Sequence, residues 1–342
     1  MINVTKNLKR KKKALITGIS GQDGSTLTEI LLEKDYEIFG LIRSHSVLES
    51  QDSRISHLSN SIKTFCGDLL DITSLEKAVK ISQPDEIYNL GAMSQVRNSF
   101  DIPQLTTQIN CLGLVNLLEA YRNFCPKAKF VQASSSEIFG NSIDEDGYQR
   151  EETPKKACSP YACTKLFGYS IVRTYRQAYN LFAANSIAFN HEGPRRGGSF
   201  VTSKICQGAA LIKLGKIPFI ELGNLEARRD WSHAEDVCRA LYLINNHSKP
   251  EDFVVASGEN HSVKEFLQLV FDRAGVPVNE ETVKMNPKFL RPQELHDLKG
   301  DATKIRKTLG WAPKYSFQEL VNEMVDYHIK KHKKKIDLSK LN

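Results

Sequence analysis

The sequence has no long apolar run, and this excludes an integral membrane protein. No stretch of the 342 residues approaches the roughly 18 to 20 consecutive apolar residues that a membrane helix requires. The lysine-rich segment 9–13 leads into a strand pattern and not into the apolar centre of a signal peptide. We therefore expect a cytoplasmic protein with no membrane partner.

Paired cysteines and internal repeats are also absent. The seven cysteines are scattered, with no CxxC pair and no histidine at zinc-ligand spacing. This pattern favours reduced thiols over disulfides and predicts no metal site. The lack of repeats excludes a solenoid or another repeat array.

Acidic residues are outnumbered, but the excess of positive charge lies at the two ends of the chain. The net charge is +7, and segments 9–13 and 330–335 each carry five lysines or arginines and no acidic residue. Subtracting those ten from the 47 basic residues leaves 37 against 40 acidic residues, a charge of about −3 for the rest. We therefore interpret 1–12 and 331–342 as basic tails and predict no nucleic-acid partner.

Short β-rich apolar runs alternate with helical segments from residue 13 to about residue 256. This alternation is typical of a doubly wound parallel α/β sheet. Strands are predicted at 14–17, 37–41, 64–66, 86–90, 129–133, 183–188 and 253–256. Helices are expected after Gly24, Ser74, Asn110 and Ser159, and after the capping box that begins at Ser262.

The second half of the chain is expected to interleave with the first. We predict a Rossmann-type dinucleotide-binding domain at 13–190 with a return segment at about 233–257. Segments 191–232 and 258–330 are predicted to form a smaller substrate domain.

A glycine-rich turn follows the first predicted strand. It reads Thr17-Gly18-Ile19-Ser20-Gly21-Gln22-Asp23-Gly24 and opens a helix. One glycine makes the tight turn, one lets the backbone approach a pyrophosphate, and one allows close helix packing. The helix N-terminus then faces the anion. In this strand–helix context the motif predicts a dinucleotide site.

The second strand lacks the acidic residue that would bind the adenosine ribose of NAD. It ends in Ile42-Arg43-Ser44, and a guanidinium with a hydroxyl suits a 2′-phosphate. The sequence therefore favours NADP over NAD. The alternative is that Arg43 only stacks on the adenine.

A serine-rich turn and a Tyr–Lys pair provide the candidate catalytic groups. Ser135 and Glu137 follow the fifth strand, where an open parallel sheet binds its ligand. Tyr161 lies 26 residues after Ser135, and Lys165 follows four residues later. This spacing places Tyr161 and Lys165 on one face of a helix. We expect Lys165 to lower the pKa of Tyr161, so that the phenolate acts as a base toward a sugar hydroxyl.

With these residues the sequence resembles the extended short-chain dehydrogenases, in which Ser or Thr, Tyr and Lys share the active site. Longer strings are similar to the GDP-mannose 4,6-dehydratase family and run from residue 13 to about residue 329. Among them are ALITGISGQDGS, PDEIYNLGAMSQV, ASSSEIFG, SPYACTKLFGY, FNHEGPRRGGSFVTSKI, LGNLEARRDWSHAEDV and RPQELHDLKGDATKIRKTLGW. The resemblance implies a hydro-lyase acting on a GDP-hexose by C4 oxidation, loss of water across C5 and C6, and hydride return to C6.

The resemblance also implies a role for each matching residue. Tyr161 takes the O4 proton, Lys165 binds the nicotinamide ribose, Glu137 takes the C5 proton and Ser135 assists loss of water. The expected cofactor-binding residues are Gly18, Gly21, Gln22, Asp23, Gly24, Arg43, Asp68, Leu69, Leu90, Ala92, Ser94, Tyr161, Lys165, His191 and Arg196. The expected substrate-binding residues are Ser94, Ser135, Glu137, Asn190, Lys204, Arg229, Arg291 and Glu294.

Several of these residues have a simpler interpretation. Arg196 and Arg229 are also compatible with ion pairs at the surface, and His191 fits a packed or hydrogen-bonded histidine better than a catalyst. Glu137 is compatible with a structural carboxylate, although few carboxylates beside a catalytic serine are inert.

The sequence departs from the family at three places. It has Arg43-Ser44-His45-Ser46 where the family usually has two arginines before two serines, which removes part of the phosphate site and part of a loop that joins subunits. Gln95 replaces a usual histidine, and Gly193 replaces a usual serine. A homodimer or homotetramer remains the expected assembly.

Other functions stay open at this point. A GDP-heptose 4,6-dehydratase is the first alternative, because Gln95 and Gly193 both lie at positions near the sugar or phosphate. A nucleotide-sugar decarboxylase or epimerase of the same family is the second. A non-catalytic dinucleotide sensor is the third, although such a protein is expected to lose Tyr161 or Lys165.

Overall fold

The structure is a computed structural model that describes residues 10–43 and 54–339. Its strands, in chain order, are β1 (Lys13–Thr17), β2 (Glu37–Ile42), β3 (Ile62–Cys66), β4 (Glu86–Asn89), β5 (Lys129–Ala133), β6 (Ala183–Ala188), β7 (Asn190–Glu192), β8 (Ile220–Leu222), β9 (Arg228–Arg229), β10 (Trp231–His233), β11 (Phe253–Val255), β12 (His261–Ser262), β13 (Val283–Met285) and β14 (Asp297–Leu298). Its α-helices are α1 (Gln22–Glu33), α2 (Ile72–Ser82), α3 (Val96–Asp101), α4 (Pro103–Thr107), α5 (Gly113–Phe124), α6 (Pro160–Tyr179), α7 (Val201–Lys213), α8 (Ala234–Asn246), α9 (Val263–Ala274), α10 (Thr303–Leu309) and α11 (Phe317–Ser339).

Seven parallel strands form the central sheet in the order β3-β2-β1-β4-β5-β6-β11. The order reverses direction between β1 and β4, which is where a doubly wound sheet opens a crevice for its ligand. The chain leaves the sheet after β6 and returns as β11 beside it. The Rossmann-type fold predicted from the sequence is thus confirmed.

Both faces of the sheet are buried, as a parallel sheet with helices on both sides requires. Ala14 and Ile16 of β1 point into one apolar cluster with α1 and α8, while Leu15 points into another with α2, α5 and α6. This explains why β1 reads as a continuous apolar run without the alternation of a half-exposed strand.

The predicted strands match the observed ones within two residues at each end. The helix starts were predicted less well, because α1 and α2 begin two residues before Gly24 and Ser74. Ser159 does cap α6 by accepting from the Ala162 amide at 3.0 Å, with Pro160 at its first position. Ser262 and Glu265 form the predicted capping box.

A third apolar cluster lies beyond the sheet and is built from the later part of the chain. It joins α7, α9 and α11 around Trp231, Phe266 and Phe271, with Met324 fully buried. Small sheets border it, in which β9 pairs with β12 and β14 and β8 pairs with β13. This region forms the far wall of the cavity described below.

Among the residues that the structure describes, no helix is both long and apolar enough to cross a membrane. Across 10–43 and 54–339, no group of three or more His, Cys, Asp or Glu side chains is placed to hold a metal ion. The thiols of all seven cysteines are free.

Candidate active site

The glycine-rich turn connects β1 to α1 at the crevice between β1 and β4. Gly18 has φ +67°, and a Cβ on it would lie 2.8 Å from the Gly91 nitrogen of the loop after β4. Gly21 is the N-cap of α1 and provides no side-chain cap, so the first amides of α1 remain available to an anion. The turn therefore has the geometry that a pyrophosphate site needs.

A half-buried ion pair joins Asp23, in the first turn of α1, to His191 of β7. His191 Nε2 is 2.9 Å from the Asp23 carboxylate, and its Nδ1 is 2.8 Å from the Phe189 carbonyl oxygen. Burial opposes ionisation of Asp23, but the charge and hydrogen bond of His191, the hydrogen bond of Gln22 and the charge of Arg196 together outweigh burial and lower the pKa of Asp23 to about 2. Burial also disfavours the charged form of His191, yet Asp23 raises its pKa. His191 is thus a hydrogen-bonded partner of Asp23 in the glycine-rich turn.

A cavity of about 1270 Å³ runs from this turn across the carboxyl ends of the strands to the region around α7 and β8. Every cofactor-binding and substrate-binding residue expected from the sequence lines it. The cofactor end includes Gly18, Gly21, Gln22, Asp23, Gly24, Arg43, Asp68, Leu69, Leu90, Ala92, Ser94, His191 and Arg196. The far end includes Asn190, Lys204, Arg229, Arg291 and Glu294.

Ser135 and Glu137 are presented by the turn that follows β5. Ser135 caps the short 3₁₀ turn Ser136–Phe139, and its hydroxyl accepts from the Glu137 amide at 3.3 Å. This places Glu137 in the cavity wall, where its side chain is only 8% exposed. A carboxylate so far from water is suited to act on a bound ligand.

Tyr161 lies opposite this turn on α6, but its ionisation is not favoured in the way that the sequence suggested. Burial raises the pKa of Tyr161 to about 12, with the Glu137 charge adding to the effect and a hydrogen bond to Ser135 opposing it. The expected lowering by Lys165 is therefore wrong for this structure. The Lys165 ammonium lies 5.7 Å from the centre of the Tyr161 ring and donates to the Ala133 carbonyl at 2.8 Å. Burial also lowers the pKa of Lys165 to about 8, which weakens its charge.

A chain of alternating charges crosses the far end of the cavity. Arg291 donates to Glu137 at 3.0 Å and lies 3.9 Å from Glu294. Glu294 in turn accepts from Arg229 at 3.1 Å. Arg229 is buried, which lowers its pKa, and the neighbouring charge of Arg291 lowers it further. Two closely spaced guanidiniums make this end a candidate diphosphate site.

Two other cations at the cavity have aromatic partners. The Arg196 guanidinium lies 3.6 Å from the centre of the Phe200 ring, and its Nε is 2.9 Å from the buried Glu192 carboxylate. Arg196 thus forms an ion pair, but a buried one and not the surface pair considered from the sequence. Lys204 lies 3.3 Å from the centre of the Phe289 ring, and burial lowers its pKa.

Sequence reasoning missed the role of Asn110, which it took only as a helix start. Asn110 lies in the π-helical segment Gln108–Leu112 that precedes α5. Its side chain accepts from the Met93 amide at 2.8 Å and donates to the Met93 carbonyl at 3.0 Å and to Thr164 at 2.9 Å. It thereby fixes the loop carrying Ala92 and Ser94 to α6, the helix that contains Tyr161 and Lys165. The π turn has no evident sequence pattern.

The loop after β2 is described only in part. Arg43 is exposed and lines the cavity, whereas Ser44, His45 and Ser46 lie outside the described residues. Arg54 donates to the Ser20 carbonyl of the glycine-rich turn at 3.4 Å and to the Arg195 carbonyl at 2.9 Å.

The sequence is similar to proteins of one family along nearly its whole length. A family model described as GDP-mannose 4,6 dehydratase matches residues 15–324. The GDP-mannose 4,6 dehydratase of Homo sapiens is 44% identical over 343 residues, covering 93% of this chain and 91% of the relative. The enzyme of Drosophila melanogaster is 43% identical over 343 residues, covering 92% and 86%. That of Vibrio cholerae is 39% identical over 350 residues, covering 92% and 93%.

Solved structures share the fold. The UDP-glucose 4-epimerase of Thermus thermophilus, in complex with NAD, matches with a TM-score of 0.81 at 26% identity, covering 92% of this chain and 98% of that one. The dTDP-glucose 4,6-dehydratase of Streptomyces venezuelae matches with a TM-score of 0.83 at 22% identity, covering 94% and 98%. The family match and the identity of the relatives lead to one conclusion: the chain belongs to the GDP-mannose 4,6-dehydratase family.

Proposed function

We propose that this protein dehydrates GDP-mannose to the GDP-4-keto-6-deoxy sugar. The observation that carries the proposal is one cavity with a pyrophosphate-type turn at one end and the paired arginines Arg229 and Arg291 at the other. Ser135, Glu137 and Tyr161 lie between these ends, where the hexose of a nucleotide sugar would sit. The relatives named above support the identity of the substrate.

The side chains divide the chemistry into successive steps. Tyr161 accepts the O4 proton as C4 is oxidised, and the Ser135 hydroxyl stabilises the phenolate by hydrogen bonding. The resulting 4-keto group acidifies the C5 hydrogen, which Glu137 removes. The C6 hydroxyl then takes up a proton, with the Ser135 hydroxyl assisting, and leaves as water. C5 regains a proton when C6 is reduced.

The cavity fits a nicotinamide dinucleotide, and we propose NADP. When bound, this cofactor supplies the hydride acceptor and donor that a redox-neutral dehydration needs. The first amides of α1 would hold the pyrophosphate, Asp68 and Leu69 the adenine side, and Lys165 the nicotinamide ribose. Arg43 at the end of β2 supports NADP over NAD, because this position lacks the carboxylate that suits an unphosphorylated ribose. The cationic oxidised nicotinamide would also offset the burial that raises the pKa of Tyr161.

A substrate panel tests the proposal. We expect purified protein with NADP to convert GDP-mannose to a product lighter by one water, as read by mass spectrometry, and to leave UDP-glucose unchanged. A GDP-heptose belongs in the panel as the second candidate, because Gln95, which departs from the family, lines the cavity. Loss of carbon dioxide from a UDP-sugar acid, or an unchanged mass with inverted stereochemistry, would instead indicate a decarboxylase or an epimerase.

We also propose a homodimer or homotetramer and the two-domain division at residues 190, 232 and 257. Support for an assembly comes from apolar side chains exposed beside the catalytic helix, where Leu105, Leu112 and Phe167 are 41%, 52% and 39% accessible. Light scattering on the purified protein measures the assembly, and a monomeric mass would contradict it.

A further inference from the structure

The ion pair between Arg291 and Glu137 connects a residue proposed to bind the substrate diphosphate with the residue proposed to act as the base. The guanidinium nitrogen lies 3.0 Å from the carboxylate, and the side chains are 23% and 8% exposed. The residues are 154 positions apart, so only the fold brings them together. The Glu137 oxygen that accepts the guanidinium hydrogen bond is not free to approach a substrate hydrogen until that bond is broken. Glu137 therefore needs a change at Arg291 before it can take the C5 proton.

Arg291 is better able to move than its neighbour Arg229. Arg229 donates to the carbonyls of Arg228 and Leu295 as well as to Glu294, so the protein holds its guanidinium on three sides. Among residues 10–43 and 54–339, Arg291 makes one hydrogen bond, to Glu137, and its Nε is 3.9 Å from Glu294. It belongs to residues 290–296, a connection without helix or strand between the turn Pro287–Phe289 and β14. The two arginines thus lie in the same site, but the guanidinium of Arg229 is held more firmly than that of Arg291.

We infer that Arg291 couples recognition of the substrate diphosphate to release of the base. Before substrate binds, Arg291 pairs with Glu137. The diphosphate then draws the guanidinium away, since phosphoryl oxygens accept a bidentate guanidinium at least as well as a carboxylate does. Glu137 is left free to remove the C5 proton. This inference rests on the proposed function and makes Arg291 a positioning residue as well as a substrate contact.

The coupling also determines specificity. A sugar that lacks the diphosphate leaves the pair intact, so Glu137 stays engaged even if the hexose reaches the cavity. Binding of a ligand that carries the diphosphate in turn requires free energy to break the ion pair between Arg291 and Glu137. Removing the charge of Glu137 should therefore strengthen binding of the diphosphate, by about tenfold if one charged hydrogen bond no longer has to be broken.

Calorimetric titration of GDP into the NADP-saturated protein tests this inference. We expect Glu137→Gln to bind GDP about tenfold more tightly than the wild type. Glu137→Asp, which draws the carboxylate back by one methylene, should show a smaller gain and serves as a second variant if Glu137→Gln does not fold. Asp101→Asn is the matched control, because Asp101 also lines the cavity but contacts Arg97 and not Arg291.

The Arg291→Gln background separates the pair from a general charge effect. There, adding Glu137→Gln should leave the affinity for GDP unchanged, because no pair remains to be broken. An equal gain in that background, an equal gain in Asp101→Asn, or no gain in Glu137→Gln would overturn the coupling. Failure of GDP to bind the wild-type protein would contradict the proposed function instead.

Discussion

Tyr161 and Glu137 line the same cavity but are proposed to serve successive steps, so their variants should fail differently. Tyr161→Phe keeps the ring and removes the proton acceptor, and we expect little reduced cofactor to form on mixing with GDP-mannose. Glu137→Gln keeps the size of the side chain but has no carboxylate for the C5 proton, so oxidation should proceed and then stall. Turnover should fall by about 100-fold to 10,000-fold in each case, as is typical for a positioned base.

Stopped-flow absorbance at about 340 nm, where reduced nicotinamides absorb, distinguishes the two variants. Bound NADPH should accumulate in Glu137→Gln and not in Tyr161→Phe. The opposite pattern would reverse the assignment. Turnover of Glu137→Gln close to that of the wild type would leave the dehydration without its base.

Arg43 is the residue on which the choice of NADP depends. It lines the cavity at the end of β2, where no acidic residue is present. We expect Arg43→Ala to weaken NADP binding by about 1 to 3 kcal/mol, the worth of a charged hydrogen bond. NAD is the matched control ligand, since it lacks the 2′-phosphate and should lose little affinity. Equal dissociation constants for NAD and NADP in the wild-type protein would show that Arg43 does not select the cofactor.

At the scale of elements, the contact between α1 and the glycine-rich turn leaves no room for a side chain at Gly24. A Cβ there would meet the Gly18 carbonyl oxygen and lie 2.5 Å from the Ile19 Cα, both backbone atoms that no rotamer change can move. We expect Gly24→Ala to lower the free energy of unfolding by about 1 to 3 kcal/mol, as overpacking typically does. Gly193→Ala is the control, because its Cβ would lie 3.6 Å from the nearest atom, in ordinary contact. Urea denaturation of both variants measures the difference.

The start of α1 should also make cofactor binding depend on pH. Asp23, with a pKa of about 2, is ionised throughout the neutral range. The pKa of His191 is raised, so the imidazole stays protonated until the pH rises to that pKa. Arg196 adds a further positive charge near Asp23. As the pH rises through the pKa of His191, the imidazole ring loses its positive charge. The negative charge of Asp23 is then less well neutralised and repels the pyrophosphate more strongly. The affinity for NADP should therefore fall.

Titrations from about pH 7 to about pH 9 measure this dependence above the range in which the 2′-phosphate itself ionises. Asp23→Asn removes the carboxylate and should make the profile shallower, leaving the part that comes from Lys165, whose pKa of about 8 lies in the same range. An affinity for NADP that rises with pH would show that the ion pair does not govern the site.

At the scale of the whole molecule, the proposed function has the two ends of one cavity hold cofactor and sugar together through the reaction. The proposed reaction is then redox-neutral, and the hydride stays within one sugar. GDP-mannose deuterated at C4 should give a product with deuterium at C6, as read by NMR and mass spectrometry. Unlabelled GDP-mannose in deuterated water is the control, and should place solvent deuterium at C5. Loss of the C4 label to solvent, or release of one NADPH per turnover, would contradict the mechanism.

The sequence by itself determined the features that depend on contiguous residues or on fixed spacing. The turn from Gly18 to Gly24 could be predicted because the local backbone leaves no room for a side chain at its glycine positions. Tyr161 and Lys165 were readable because four residues span one helical turn. The parallel sheet followed from the alternation of apolar runs, and family membership from strings along the whole chain.

Only the tertiary structure decided what depends on burial and on residues far apart in the chain. It pairs Glu137 with Arg291 and Asp23 with His191, which lie 154 and 168 positions apart. It raises the pKa of Tyr161 where the sequence predicted a lowered one, since burial opposes charge and Lys165 donates to a backbone carbonyl instead. It also brings Asn110, through a π turn, against the loop that carries Met93. A sequence states which charges exist, but their distances and their separation from water arise only when the chain packs.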